Sequence, residues 1–302
     1  MIALFLAAQQ AHAQACVCSR NIAMPSGAVS RPGAVLLSLD YGAALSGDIE
    51  GWQGFSVTDL YGDSMAGMYM PPHFVQTITL GGSVGLPAGL SLGANLPYVI
   101  VHHVEPSEMP GDVDSADPGD VDVTVKYGWS NKDKRFFLGG SVGPTLPTGT
   151  VIADSPVRSG RGTFGITGTV SGGMKINPKL ASVVQLAGSA GLGPDDTGYT
   201  LGPSWNLLAG ARWSPRENGR FSMAGYGIYR WTGKDQQDAL VYKNTGSQAI
   251  DLAVSGSYTF WEKEMRSAAL MARVQAPLWQ VVGDPMYIEN VAGGLGLSAT
   301  VF

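Results

Sequence analysis

The stretch Ile250-Asp251-Leu252-Ala253-Val254-Ser255-Gly256-Ser257-Tyr258-Thr259-Phe260 decides the fold. Ile250, Leu252, Val254, Tyr258 and Phe260 share one parity; Asp251, Ala253, Ser255, Ser257 and Thr259 share the other. Val121, Val123, Val125, Tyr127 and Trp129 alternate in the same way with Asp120, Asp122, Thr124, Lys126 and Gly128. A two-residue period describes a strand with one apolar and one polar face. Working outward, the rhythm recurs over 34–44, 73–86, 89–99, 120–129, 135–147, 163–176, 179–190, 200–214, 219–231, 248–261, 265–278 and 290–302. About twelve such strands, each near ten residues and with a polar side mostly of Gly, Ser and Thr, predict an all-β fold. It is a transmembrane antiparallel up-and-down β-barrel.

The connections support this reading. Short turns at Pro87-Ala88, Asn131 to Lys134, Asn177-Pro178, Pro215 to Asn218 and Glu262 to Glu264 alternate with longer links at 45–72, 100–119, 148–162, 191–199, 232–247 and 279–289. Outer-membrane barrels show this asymmetry of short periplasmic turns and long extracellular loops. An even strand count then puts both termini in the periplasm.

Composition narrows the class. Only 14% of residues are charged, against about 25% in soluble domains. Glycine fills 42 of 302 positions, about twice its usual share, which suits inward positions of a narrow barrel. A net charge of −5 and a pI near 5.3 argue against nucleic acid, whose partners carry basic stripes. Mean hydropathy is +0.07 because apolar and polar residues alternate. No apolar run reaches the length of a transmembrane helix. A soluble β-sandwich would carry more Lys and Glu on its outer faces.

Residues 1–15 read as a secretory signal remnant, with an apolar run from Ile2 to Ala8 before the A-x-A triplets Ala11-His12-Ala13 and Ala13-Gln14-Ala15. Residues 16–33 are expected on the periplasmic side, where they could plug the barrel mouth through contacts with Lys126, Lys175 or Arg212. The barrel itself is expected over 34–302.

Parity assigns the faces. Leu37, Leu39, Ile78, Leu80, Leu92, Leu96, Leu138, Val142, Ile166, Val170, Val184, Leu186, Leu207, Leu252, Leu270 and Val274 are expected to face lipid. Aromatic residues near strand ends, among them Tyr98, Trp129, Phe136, Trp205, Trp213, Trp231, Trp261 and Trp279, fit interfacial girdles. Asp40, Asn95, Asp122, Lys126, Lys175, Gln185, Asn206, Arg212, Arg230, Asp251, Arg273 and Gln275 are expected to line the lumen and set selectivity. Facing lipid at mid-depth would cost a charge about 2–4 kcal/mol. Phe302 ends the chain but lies off the parity of Leu295, Leu297, Ala299 and Val301.

Other constellations are weaker. Cys16 and Cys18 form a C-x-C that could be lipidated, redox-paired or, with His102 and His103, part of a soft-metal site. The run Gly111 to Asp120 is rich in carboxylates but lacks EF-hand spacing, since Ala116 stands where a ligand should. It reads as a solvated acidic extracellular loop. No phosphate-loop pattern occurs, and His73, His102 and His103 all fall at strand ends. No enzymatic activity and no cofactor is expected.

One segment carries a resemblance. Gly119-Asp120 opens a strand that ends in Lys126-Tyr127, the next ends in Leu146-Pro147-Thr148-Gly149, and Gly160-Arg161-Gly162-Thr163-Phe164 leads into the third. This resembles the outer-membrane transporter family named for the meta-cleavage pathway of phenol degradation. The resemblance implies a barrel and passage of a small solute, apolar or aromatic in character, without fixing the cargo. The expected protein is therefore a passive outer-membrane channel. Its partners would be outer-membrane lipids, the solute and, during biogenesis, the barrel assembly machinery. Alternatives are a metal-handling barrel using Cys16, Cys18, His102 and His103, and a non-conducting structural or sensor barrel.

Overall fold

The structure, a computed structural model, describes residues 32–46, 57–59, 73–103, 115–150, 159–195, 198–215, 220–237, 240–241, 246–263, 266–282 and 289–301. The N-terminal segment with Cys16 and Cys18, and the terminal Phe302, lie outside them, so the signal and plug readings receive no structural account.

Twelve long strands form the barrel. They are β1 (Val35–Ser46), β2 (His73–Leu86), β3 (Leu90–His103), β4 (Val121–Ser130), β5 (Phe136–Leu146) and β6 (Gly165–Asn177). The others are β7 (Leu180–Gly191), β8 (Ser204–Trp213), β9 (Phe221–Thr232), β10 (Ser247–Lys263), β11 (Arg266–Val282) and β12 (Glu289–Val301). Each pairs antiparallel with its sequence neighbours, and β12 returns to β1 from Val35↔Val301 to Ser46↔Glu289. The sheet is closed, so every strand has two partners and no edge is left to the membrane.

The alternation sets the faces. All sixteen aliphatic side chains expected outside are exposed, from Ile78 at 38% to Val170 at 59%. Ser38, Thr79, Ser91, Thr124, Thr169, Ser171 and Ser255 are buried on the opposite parity.

The short turns follow from their residues. Asn131 Oδ1 accepts hydrogen bonds from the backbone N–H groups of Arg135 and Phe136 at 2.8 and 3.0 Å. Asn177 Oδ1 does the same for Lys179 and Leu180 at 2.8 and 2.9 Å. These Asx turns reverse the chain without a long loop. At Pro87–Gly89 the turn needs φ of +74° at Gly89, where a Cβ would also meet the Gly128 carbonyl at 2.6 Å.

The long connections carry added structure. Ser115–Pro118 pairs with β3, and β3 runs on to His103. His102 and His103 thus belong to the strand, because each keeps a partner on β2, Phe74 and His73. Tyr199–Thr200, Gln236–Gln237 and Leu240–Val241 form a small sheet over the same end of the barrel.

Register gives the dimensions. Starting on β5 at Phe137, successive lumen-facing partners are Gly173, Val183, Gly210, Tyr226, Ala253, Gln275, Ala292, Ala44, Val75 and Val101. In the other direction Phe137 pairs with Ser130, and the Tyr127↔Leu90 pairing carried on by three residues reaches Pro87. One circuit therefore displaces the register by 101 − 87 = 14 residues. Fourteen residues over twelve strands, at about 3.3 Å rise and 4.8 Å spacing, correspond to a strand tilt of about 40° and a backbone radius of about 12 Å.

Candidate functional site: the lumen

The closed wall defines the site, and parity populates it. Asp40, Asn95, Asp122, Lys126, Lys175, Gln185, Asn206, Arg212, Arg230, Asp251, Arg273 and Gln275 all lie on the inner face, buried or half-buried. Nine of them fall into three groups. Asp251, fully buried, accepts hydrogen bonds from Arg230 Nε at 2.5 Å and Gln275 Nε2 at 2.6 Å. The Arg230 Nη2 bond at 3.3 Å completes a forked pair. Asp122 accepts from Thr145 Oγ1 at 2.6 Å across the β4–β5 pair, while Arg273 lies under the electrostatic influence of Asp40. Lys126, Lys175 and Arg212 form the third group: among the described residues none of them has a carboxylate partner.

At the long-loop end, the motif read from sequence closes into a corner. Asp120 is 1% exposed. Its Oδ1 accepts the Gly149 N–H at 2.9 Å and its Oδ2 the Arg161 N–H at 2.6 Å. Thr148 Oγ1 accepts the Val121 N–H at 2.9 Å, and Ser159 Oγ both accepts from and donates to Thr150. A Cβ on Gly149 would sit 2.5 Å from Gly160 Cα, and one on Gly160 only 2.6 Å from Asp120 Oδ1. The glycines of the Gly-Asp, Leu-Pro-Thr-Gly and Gly-Arg-Gly elements let three chain segments close around one carboxylate. Burial pushes the Asp120 carboxyl above its ordinary range, against the opposing pull of the two N–H groups. Burial also lowers the Arg161 guanidinium to about 10, partly offset by Asp120, Asp122 and Asp235. Asp120 is therefore not part of a solvated acidic loop: its backbone donors come from segments 29 and 41 residues away, which no local pattern displays. Arg161 reaches on to Ser189 Oγ at 3.0 Å, and Asp235 takes Tyr199 Oη at 2.6 Å and the Gly202 N–H at 2.7 Å.

The lumen also holds an apolar patch that the polar reading of the inner parity missed. Val183, Leu208, Ala224, Tyr226, Ile228 and Ala253 are buried together, with Phe137 packed against them. Phe137 lies over Gly173 and Tyr226 over Gly210, in each case the directly paired residue, where a side chain would collide with the ring. This is the aromatic covering of a glycine gap in a sheet. The signal was present in the sequence: these large apolar residues occupy the inner parity of β5, β7, β8 and β9.

His102 is exposed at the end of β3, and among the described residues no cluster of three His, Cys, Asp or Glu could hold a metal ion. Cys16 and Cys18 lie outside the described residues.

With this geometry in place, comparison with known proteins is direct. The family described as "Putative MetA-pathway of phenol degradation" matches residues 53–280 of the 302. The chain belongs to this family. Among curated proteins no sequence matches it. For this member of the phenol-degradation family, the crystal structure of an outer membrane channel from Pseudomonas putida F1 is similar with a TM-score of 0.71 and 15% identity. The match covers 91% of this chain and 98% of that one. At that identity the likeness shows the fold, a twelve-stranded outer-membrane type of barrel. The NanC porin (TM-score 0.47, 11% identity, 87% and 98% coverage) and the KdgM porin in complex with disordered oligogalacturonate (0.46, 10%, 86% and 97%) are more distant.

Proposed function

We propose that this protein sits in a bacterial outer membrane and lets a small, partly apolar solute diffuse through its lumen. One observation carries the reading: a closed barrel with an aliphatic outer wall encloses an inner wall rich in small polar residues that also carries an aromatic and aliphatic patch around Phe137 and Tyr226. The outer wall suits hydrocarbon, because the sixteen lipid-facing aliphatics are exposed and every ladder is closed. The inner wall suits transit rather than packing. A backbone radius of about 12 Å leaves room for water beyond side chains of Ser and Thr size. Phe137, Val183, Leu208, Tyr226 and Ile228 offer a weak apolar resting place, and weak binding permits both entry and exit.

The selectivity role of the lumen charges belongs to the same proposal. The test is reconstitution of the purified, detergent-extracted protein into planar bilayers. Discrete single-channel steps are expected, together with liposome permeability to single-ring solutes. A protein that purifies as a soluble monomer without detergent, or that inserts and never conducts, would end this reading.

A further inference from the structure

Three lumen cations from well-separated strands arrive within about 9 Å of one another along the barrel axis. Lys126 stands on β4, Arg212 on β8 and Arg273 on β11, so the gaps around the wall are four, three and five strands. Their heights follow from the register. Stepping from Lys126 through Ser141, Thr169 and Ala187 reaches Asn206 on β8, and Arg212 lies six residues nearer the short-turn end. Each strand crossed climbs about 3 Å toward the long loops, and six residues descend about 15 Å, at a tilt near 40°. Arg212 therefore sits about 3 Å below Lys126. From Arg212 the path continues through Ala224 and Ser255 to Arg273, which lies about 6 Å above Lys126.

The residues between the cations are small. Ala181, Ala224 and Ser255 share the path of Arg212, while the Arg273 guanidinium lies along the wall over Gly294 and Gly42. Reaching about 6 Å from a wall of about 12 Å radius, Lys126 and Arg212 narrow the passage at this level. Among the described residues Asp40 offsets them, through Arg273. The Arg230–Asp251 pair, nearer the long-loop end, is internally neutral. The apolar patch overlaps the same level: Gly210 and Tyr226 are paired two residues from Arg212 and Ala224, and Tyr226 lies within the electrostatic influence of Arg212.

We infer that this level is an anion-preferring constriction, and that the solute is a small organic anion with an apolar body, of the class of single-ring carboxylates. The inference rests on the channel reading and names its substrate class. Lys126 and Arg212, with no carboxylate partner among the described residues, take the charged group, while Tyr226, Leu208 and Val183 accept the ring.

The test uses the full-length protein in planar bilayers under a KCl gradient. The expected reversal potential corresponds to chloride favoured over potassium by threefold or more. Benzoate should reduce chloride current at concentrations where acetate, with the charge and no ring, and benzyl alcohol, with the ring and no charge, have at least tenfold weaker effects. The double variant Lys126→Gln with Arg212→Gln should bring the ion preference to near unity. Lys132→Gln, in an exposed turn, should leave it unchanged. The wild-type reversal potential needs no variant to fold, and heat-shifted gel migration confirms barrels for those that are compared. A conducting channel with no preference, with cation preference, or blocked equally by benzyl alcohol overturns the anion proposal and leaves the channel standing. Failure to conduct overturns both.

Discussion

Replacing Asp120 with alanine should loosen the long-loop end of the barrel by about 2–6 kcal/mol, and the reason lies in oxygens rather than charge. The carboxylate is 1% exposed and accepts two backbone N–H groups, from Gly149 at 2.9 Å and Arg161 at 2.6 Å. Each buried donor left unpaired costs about 1–3 kcal/mol. Arg161 keeps Asp122 and Asp235 as compensating charges, so no isolated cation is created. Because burial raises the Asp120 carboxyl above its ordinary value, desolvation outweighs the attraction for its ionised form. Asp120→Asn, which keeps one acceptor oxygen, should accordingly cost less than half as much as Asp120→Ala. The same shift fixes a pH sign. A folded carboxyl titrating above its unfolded value binds its proton more readily when folded. Its contribution is then fully present below pH 3.8 and is lost as pH rises through the raised folded value. Acidification from neutrality toward that window should therefore strengthen the corner through Asp120. For Arg161, lowered to about 10, the unfolded chain retains the proton to higher pH, so stability should rise with pH above about 10. Urea unfolding in lipid, followed by tryptophan fluorescence, measures all of this, with Asp133→Ala in an exposed turn as the control. An Asp120→Ala protein within about 0.5 kcal/mol of wild type would refute the corner, as would an acid-labile step that Asp120→Asn abolishes.

Two further outcomes test the wall. Val254 is 55% exposed and Ser255 6% exposed, so Val254→Arg should cost about 2–4 kcal/mol near mid-membrane whereas Ser255→Arg should change conductance more than stability. Equal effects at both positions, by urea midpoint and single-channel current, would break the parity assignment. Gly173→Ala should cost about 1–3 kcal/mol because its Cβ would meet both the Phe137 ring and the Ser182 carbonyl, while Gly225→Ala points into open space and should be nearly neutral. Matching urea midpoints for the two variants would show that Phe137 does not lie over Gly173.

The strand count, pairing order, faces and turn ends were legible because each is a local property. A two-residue period shows a strand's two sides, and Asn131 or Asn177 shows where it reverses. Boundaries shifted where pairing outlasts alternation: β3 runs to His103 and β11 to Val282, since partners on β2 and β10 carry them on. The corner was legible only in part. Its Gly-Asp, Leu-Pro-Thr-Gly and Gly-Arg-Gly elements stood out as turns, but nothing in them showed that Asp120 is shared by all three. That depends on β4, β5 and β6 being neighbours in register. The apolar patch was visible and misread. Val183, Leu208 and Ile228 sit on the parity called polar, and an inner position in a barrel need not be polar when its neighbours are apolar too.

Glycine abundance links the wall to its selectivity. Taken alone, 42 glycines suggest a smooth, open bore. In the structure several of them lie beneath neighbours: Gly173 under Phe137, Gly210 under Tyr226, Gly294 beside Arg273 and Gly296 beside Asp40. Each absent side chain is occupied by the side chain of an adjoining strand, which then lies along the wall instead of projecting freely. A small residue next to a long one thus determines both where the bore narrows and which group lines it. Gly210 with Tyr226, and Gly294 with Arg273, put an aromatic ring and a guanidinium at defined positions without changing strand number or stagger. Selectivity in this barrel can be altered one glycine–neighbour pair at a time, because closure and tilt are set by the backbone register while the lining is set by which partner keeps a side chain.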